Sequence, residues 1–149
     1  MTTQNKPKLE KEHYEHLSQF RYQLRRFLRV SEDLARAEGI TALQYQLLLH
    51  VRGNPGREWA SIGELAERLQ AQPHGVVALV TRCEEAGLLQ RRPSEHDRRV
   101  VEVHLTTPGR RILERVARQL ESERAALAQA IEGEWSSDTP DAKAQGAGQ

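Results

Sequence analysis

Four arginines crowd one short run of the chain, Arg91, Arg92, Arg98 and Arg99, with Glu95 and Asp97 among them. Guanidinium groups at this density pair with phosphate or carboxylate, and they follow the negative potential of a narrow DNA groove. A second group lies upstream: Gln72, Pro73, His74, Gly75, Val77, Ala78 and Arg82. Gln72 and His74 can hydrogen-bond base edges, and Gln suits adenine. Pro73, Val77 and Ala78 offer apolar contact, for which a thymine methyl is the obvious target. Gly75 lets a backbone approach closely. The formal net charge of the 149 residues is only +1, so binding to nucleic acid must come from these local patches.

Other chemistry finds little support. The single cysteine, Cys83, cannot form an internal disulfide, and a reducing compartment is the expectation. Cys83 lies three and four residues from Val80 and Leu79, which reads as an inert core thiol rather than a redox sensor. His13 and His16, with Glu12 and Glu15, could face a metal from one helix, but exposed helix composition explains them equally well. His50 and His104 have no evident partner in sequence. There is no nucleophile elbow, phosphate loop, HExxH or paired-carboxylate pattern, so neither an enzyme nor a bound cofactor is expected. No signal peptide or membrane span is evident, and a cytoplasmic protein is the expectation.

The elements that must position the two patches are mainly helical. A long helix is expected from about Glu10 to Gly39, with Leu17, Phe20, Leu24, Phe27, Leu28 and Leu34 on one face. Thr41–Gln44 and Ser61–Glu64 read as capping boxes that open two further helices. The first of these carries Leu43, Leu47, Leu48 and Val51, and Asn54-Pro55-Gly56 breaks it. Trp59 is placed in the connection. After a turn at Gln70–Gln72, a helix from Pro73 to Ala86 buries Val76, Leu79, Val80 and Cys83, and Gly87 closes it. Leu88 and Leu89 lead into one strand, and the alternation of Val101, Val103 and Leu105 marks a second. Thr107-Pro108 reads as the N-cap and first residue of a last long helix, with Leu113, Val116, Leu120, Leu127 and Ile131 at near-heptad spacing.

The expected fold is therefore mainly α with a small β-wing. A winged helix-turn-helix domain (residues 40–107) is flanked by long dimerisation helices (9–38 and 108–134). A flexible N-terminus (1–8) and a disordered tail (136–149) complete the chain. The long helices carry more apolar surface than one subunit covers, which points to a homodimer.

The run from Asp97 to Gly109 resembles the wing signature of the MarR family of transcriptional regulators: D-x-R, alternating apolar residues, then L-T-x-x-G. Leu79–Leu89 is similar to the end of that family's recognition helix, and the likeness extends over roughly residues 15–130. It implies that Asp97 orients an arginine, that Arg99 enters the minor groove, and that Arg98 and Arg91 or Arg92 meet phosphates. It also implies a homodimer on a near-palindromic double-stranded operator, acting as a repressor that a small aromatic or phenolic anion releases. Tyr14, Phe20, Arg21, Tyr45 and His50 are candidate lining for that ligand, each with core packing as the simpler reading. The chain departs from the family in two respects. Its recognition helix is poor in polar readers. It also lacks the apolar periodicity after Trp135 that a further clasping helix needs. Two alternatives stand beside the regulator. One is a winged-helix protein-interaction module without DNA readout, favoured by the apolar character of Gly75, Val77 and Ala78. The other is a metal- or redox-responsive regulator.

Overall fold

A computed structural model describes residues 7–132. The expectations for the flexible first residues, for the tail from 136 and for any helix after Trp135 fall largely or wholly outside that range. The elements run α1 (Lys11–Ala37), α2 (Ala42–Arg52), β1 (Trp59–Ala60), α3 (Ile62–Leu69), α4 (Pro73–Glu85), β2 (Leu89–Pro93), β3 (Val101–Leu105) and α5 (Thr107–Glu132). The architecture is mainly helical with a three-stranded antiparallel sheet in the order β1-β3-β2.

Local chemistry sets most boundaries. Both capping boxes close: Thr41 Oγ1 accepts from Gln44 N at 3.1 Å while Thr41 N donates to Gln44 Oε1 at 2.9 Å. Ser61 Oγ accepts from Glu64 N at 3.2 Å, and Ser61 N donates to Glu64 Oε1 at 3.3 Å. Three helices end with one hydrogen-bond pattern, a 6→1 bond enclosing a shorter one. In α1 and α4 the left-handed residues are Gly39 (φ 80°) and Gly87 (φ 76°). In α3 the same role falls to Gln70, at φ 50°, where a side chain is strained.

Three expectations need correction. Trp59 is not in a loop: it pairs with His104, and Ala60 with Val103, adding a third strand to the wing. The indole has two ring contacts, with the Arg57 guanidinium 4.0 Å from its ring centroid and the His104 ring stacked at 6.4 Å. His104 therefore has partners, and its Nε2 lies 2.9 Å from Glu102 Oε1. The N-cap of α5 is Thr106, not Thr107: Thr106 Oγ1 accepts from Gly109 N at 3.1 Å and donates to Gly87 O at 2.6 Å. The following turn brings Gly109 so close to the residue that precedes β2 that an added Cβ would lie 2.2 Å from Leu88 O. The L-T-x-x-G run thus has a physical content: a capping hydroxyl and a residue without a side chain where two backbones meet. Finally, Leu43 is 56% exposed, while Tyr45 takes the buried place on α2.

The core gathers Leu47, Leu48 and Val51 of α2, Leu65 of α3, Val76, Val80 and Cys83 of α4, Leu89, Val103 and Val116. The long helices α1 and α5 lie side by side. Arg26 pairs with Glu123 through two bonds of 3.2 Å, and Arg115 Nε donates to Glu38 Oε2 at 3.0 Å. Much of their apolar surface stays open: Tyr14, Leu17, Tyr22 and Leu28 of α1 and Ile131 of α5 are exposed.

Candidate nucleic-acid interface

Helix α4 buries Val76, Val80 and Cys83 and turns its other side outward. Gln72, Pro73, His74, Gly75, Val77, Ala78 and Arg82 are all exposed. Pro73 occupies the first helical position, and no side chain caps the helix in front of it. The first-turn amides are thus offered outward, as suits an anion.

The wing is β2, β3 and the tip between them. Ser94 is buried and pins the tip: its Oγ accepts from His96 N at 3.2 Å and from Asp97 N at 3.3 Å, and its own N–H donates to Val100 O at 3.1 Å. Asp97 Oδ1 accepts from Arg99 N at 3.0 Å and from Arg99 Nε at 3.2 Å. The backbone bond, then the guanidinium bond, hold the Asp97 carboxyl below the usual range. With its backbone tied in this way, the Arg99 side chain remains 90% exposed. Arg92 and Arg98 are exposed too, and Arg92 Nη2 reaches Gln90 Oε1 at 3.3 Å.

Arg91 differs from the other three. Its side chain is 28% exposed and turns back onto α4, bonding Val77 O, Thr81 Oγ1 and Glu84. Sequence reasoning also passed over Ser94. A hydroxyl two and three residues ahead of the amides it binds is a readable turn signal.

The candidate ligand residues are divided between α1 and α2. Tyr45 is a core side chain, and burial raises its phenol pKa. His50 is half-buried on α2, and burial followed by the Arg68 charge lowers its pKa. Tyr14 and Phe20 lie on α1. Arg21 borders an open groove with Tyr22, Leu24, Arg25, Leu28, Arg29 and Glu32, all of α1, so the groove has one wall. Cys83 is fully buried, and burial pushes its thiol from 9.0 up to about 11. Among the described residues no group of three or more His, Cys, Asp or Glu could hold a metal. His13 Nδ1 accepts from Glu10 N at 3.0 Å, at the start of α1. No described helix is long and apolar enough to cross a membrane.

Two helices joined by a tight turn, the second exposed along one side and followed by a hairpin with an arginine-rich tip, define a winged helix-turn-helix protein. The sequence model of the MarR family matches residues 38–100. The proposed transcriptional regulatory protein for the hcr operon of Thauera aromatica is 32% identical over 96 residues, 64% of this chain and 56% of that one. The chain thus spans little more than half the length of that relative. Among solved structures, a MarR family protein from Bacillus stearothermophilus superposes with a TM-score of 0.65 at 25% identity, covering 84% of both chains. AbsC, a MarR family transcriptional regulator from Streptomyces coelicolor, gives 0.63 at 20% identity over 85% of this chain and 83% of its own. Apo MarR from E. coli gives 0.61 at 21% identity, covering 87% and 89%. In sequence and fold the chain is thus similar to MarR family transcriptional regulators.

Proposed function

We propose that the protein is a sequence-specific regulator of transcription that binds double-stranded DNA as a homodimer, with α4 in the major groove and the wing tip in the adjacent minor groove. The observation that carries this reading is Arg99. A 90% exposed guanidinium, fixed through Asp97 at the end of a braced hairpin, meets no partner among the described residues other than that carboxylate. Such an arrangement suits a narrow groove, where negative potential concentrates. Few polar groups stand on the exposed side of α4, so phosphate contacts and DNA shape supply much of the affinity.

The uncovered apolar positions of α1 and α5 support pairing with a second copy through these helices. A two-fold dimer reads a near-palindromic operator with half-sites about one helical turn apart. The output we propose is repression, relieved by a small aromatic or phenolic anion. Tyr14, Phe20 and Arg21 of α1 and Tyr45 and His50 of α2 are its candidate lining. The domain roles follow: residues 40–107 read DNA, and the long helices join the subunits.

Selection from random duplex DNA at near-physiological salt, followed by sequencing, tests the proposal. A two-fold palindrome is the expected result. Sequence-blind, salt-sensitive binding would refute specific readout. No binding at all would leave the exposed Gly75, Val77 and Ala78 to a protein partner.

A further inference from the structure

We infer that Arg91 is a positioning residue: it locks the wing to α4, so that both reading elements meet DNA at one fixed angle, and it makes no phosphate contact itself. This rests on the DNA-binding function proposed above.

Four bonds run from Arg91 to one face of α4. Nη2 donates to Thr81 Oγ1 at 2.7 Å and to Val77 O at 3.1 Å. Nη1 reaches Glu84 Oε1 at 3.4 Å, and the backbone N–H of Arg91 donates to Glu84 Oε2 at 2.9 Å. Thr81 Oγ1 in turn donates to Val77 O at 3.0 Å, which completes a closed network. Val77, Thr81 and Glu84 stand at i, i+4 and i+7, so they share the helix side that faces β2. Among the described residues, every side-chain hydrogen bond between α4 and β2 involves Arg91.

The geometry demands a guanidinium. Its planar fork meets a carbonyl, a hydroxyl and a carboxylate together, fixing rotation as well as distance. An ammonium is a point donor and cannot span the same three groups. Using Arg91 on a phosphate would mean breaking this network and leaving Glu84 uncompensated beside an anion. The exposed side chains of Arg92 and Arg98, which pair with no carboxylate among the described residues, carry no such penalty.

The test compares the full chain with Arg91→Ala, Arg91→Lys and Glu84→Gln on the selected duplex and on a scrambled one, across a salt series. A strut predicts that Arg91→Ala weakens the selected duplex about five- to 100-fold. Affinity for the scrambled duplex and the slope of log K against log salt stay unchanged, and Arg91→Lys fails to rescue. A phosphate contact predicts equal weakening on both duplexes, with the slope reduced by about one, and would overturn the proposal. Glu84→Gln gives opposite signs. It loosens the strut and lowers specific affinity here, whereas removing a negative charge beside a phosphate-bound arginine would tighten both duplexes. Amide hydrogen exchange of the free protein needs no DNA. Exchange at β2 and β3 should rise in Arg91→Ala or, if that variant does not fold, in the milder Glu84→Gln, relative to α2 and α5. Unchanged exchange overturns the strut. If the parent cannot distinguish the two duplexes, specific readout falls and the exchange result alone decides the role of Arg91.

Discussion

Replacing Gly109 by alanine sets two physical effects of opposite sign against each other. Gly109 is helical, at the third position of α5. Helix propensity alone makes alanine better by about 1 kcal/mol. The new Cβ, however, would lie 2.2 Å from Leu88 O, 3.1 Å from Leu88 C and 3.3 Å from Leu88 Cα. Carbon and carbonyl oxygen tolerate about 3.3 Å at closest, so the two backbones must part by roughly 1 Å. That displacement breaks Thr106 N–H to Leu88 O, now 3.1 Å, and Thr106 Oγ1 to Gly87 O, now 2.6 Å. Each bond contributes about 1 kcal/mol, and the overpacking costs about 1–3 kcal/mol more. The clash wins, with a net loss of about 2–4 kcal/mol after the propensity gain. Urea denaturation followed by circular dichroism measures it. Gly75→Ala is the matched control, at the third position of α4, where an added Cβ meets nothing within 4 Å. It should keep or raise stability, by at most about 1 kcal/mol. If both variants shifted the midpoint the same way, the close approach would not be what requires glycine at position 109.

Other consequences are open to direct measurement. Arg99→Ala should weaken binding to the selected duplex roughly five- to 150-fold, whereas Arg98→Ala should reduce the salt slope by about one with little loss of specificity; gel-shift titrations at several salt concentrations separate them. Gln70→Gly should stabilise the fold by about 1 kcal/mol, because it relieves a left-handed side chain at a place where α1 and α4 use glycine; an unchanged or lower melting temperature would contradict this. Cys83 should resist thiol reagents in the native protein and react on unfolding, since its thiol is raised to about 11. The unfolded thiol ionises first, near 9.0, so the folded state holds the extra proton between 9.0 and about 11. Stability is therefore complete below the unfolded value and falls as pH rises through this window. A melting temperature in Cys83→Ser with the same alkaline decline as the parent would assign that decline to other groups.

How much of this was legible in the sequence depended on the range of the interaction responsible. The boxes at Thr41–Gln44 and Ser61–Glu64 are readable because donor and acceptor lie three residues apart. The long stripes of α1 and α5 repeat often enough to show their period. β1 is two residues long, and its pairing partners Val103 and His104 lie far along the chain, so no local pattern announces it. The run Thr106-Thr107-Pro108 offers two adjacent caps, and the packing against Gly87 and Leu88 selects the first. Among the wing arginines, charge is visible in sequence but direction is not. Arg91 turns inward because Thr81 and Glu84 stand opposite it, a relation fixed only once α4 and β2 are assembled. Gln70 shows the converse, since no glycine marks a left-handed turn that tertiary packing nonetheless imposes.

The contact between Gly109 and Leu88 bears on how the two halves of the molecule can move. Where interlocking side chains separate two elements, they can slide by repacking. Here bare backbone meets backbone with no compressible layer between, and the Thr106 hydroxyl ties the start of α5 to the end of α4. Such a joint resists shortening and shear, while the angles at the two hydrogen bonds of Thr106 yield to rotation. It has the character of a bearing: tilting α5 would swing α4 and the wing about that point rather than push them along the helix axis.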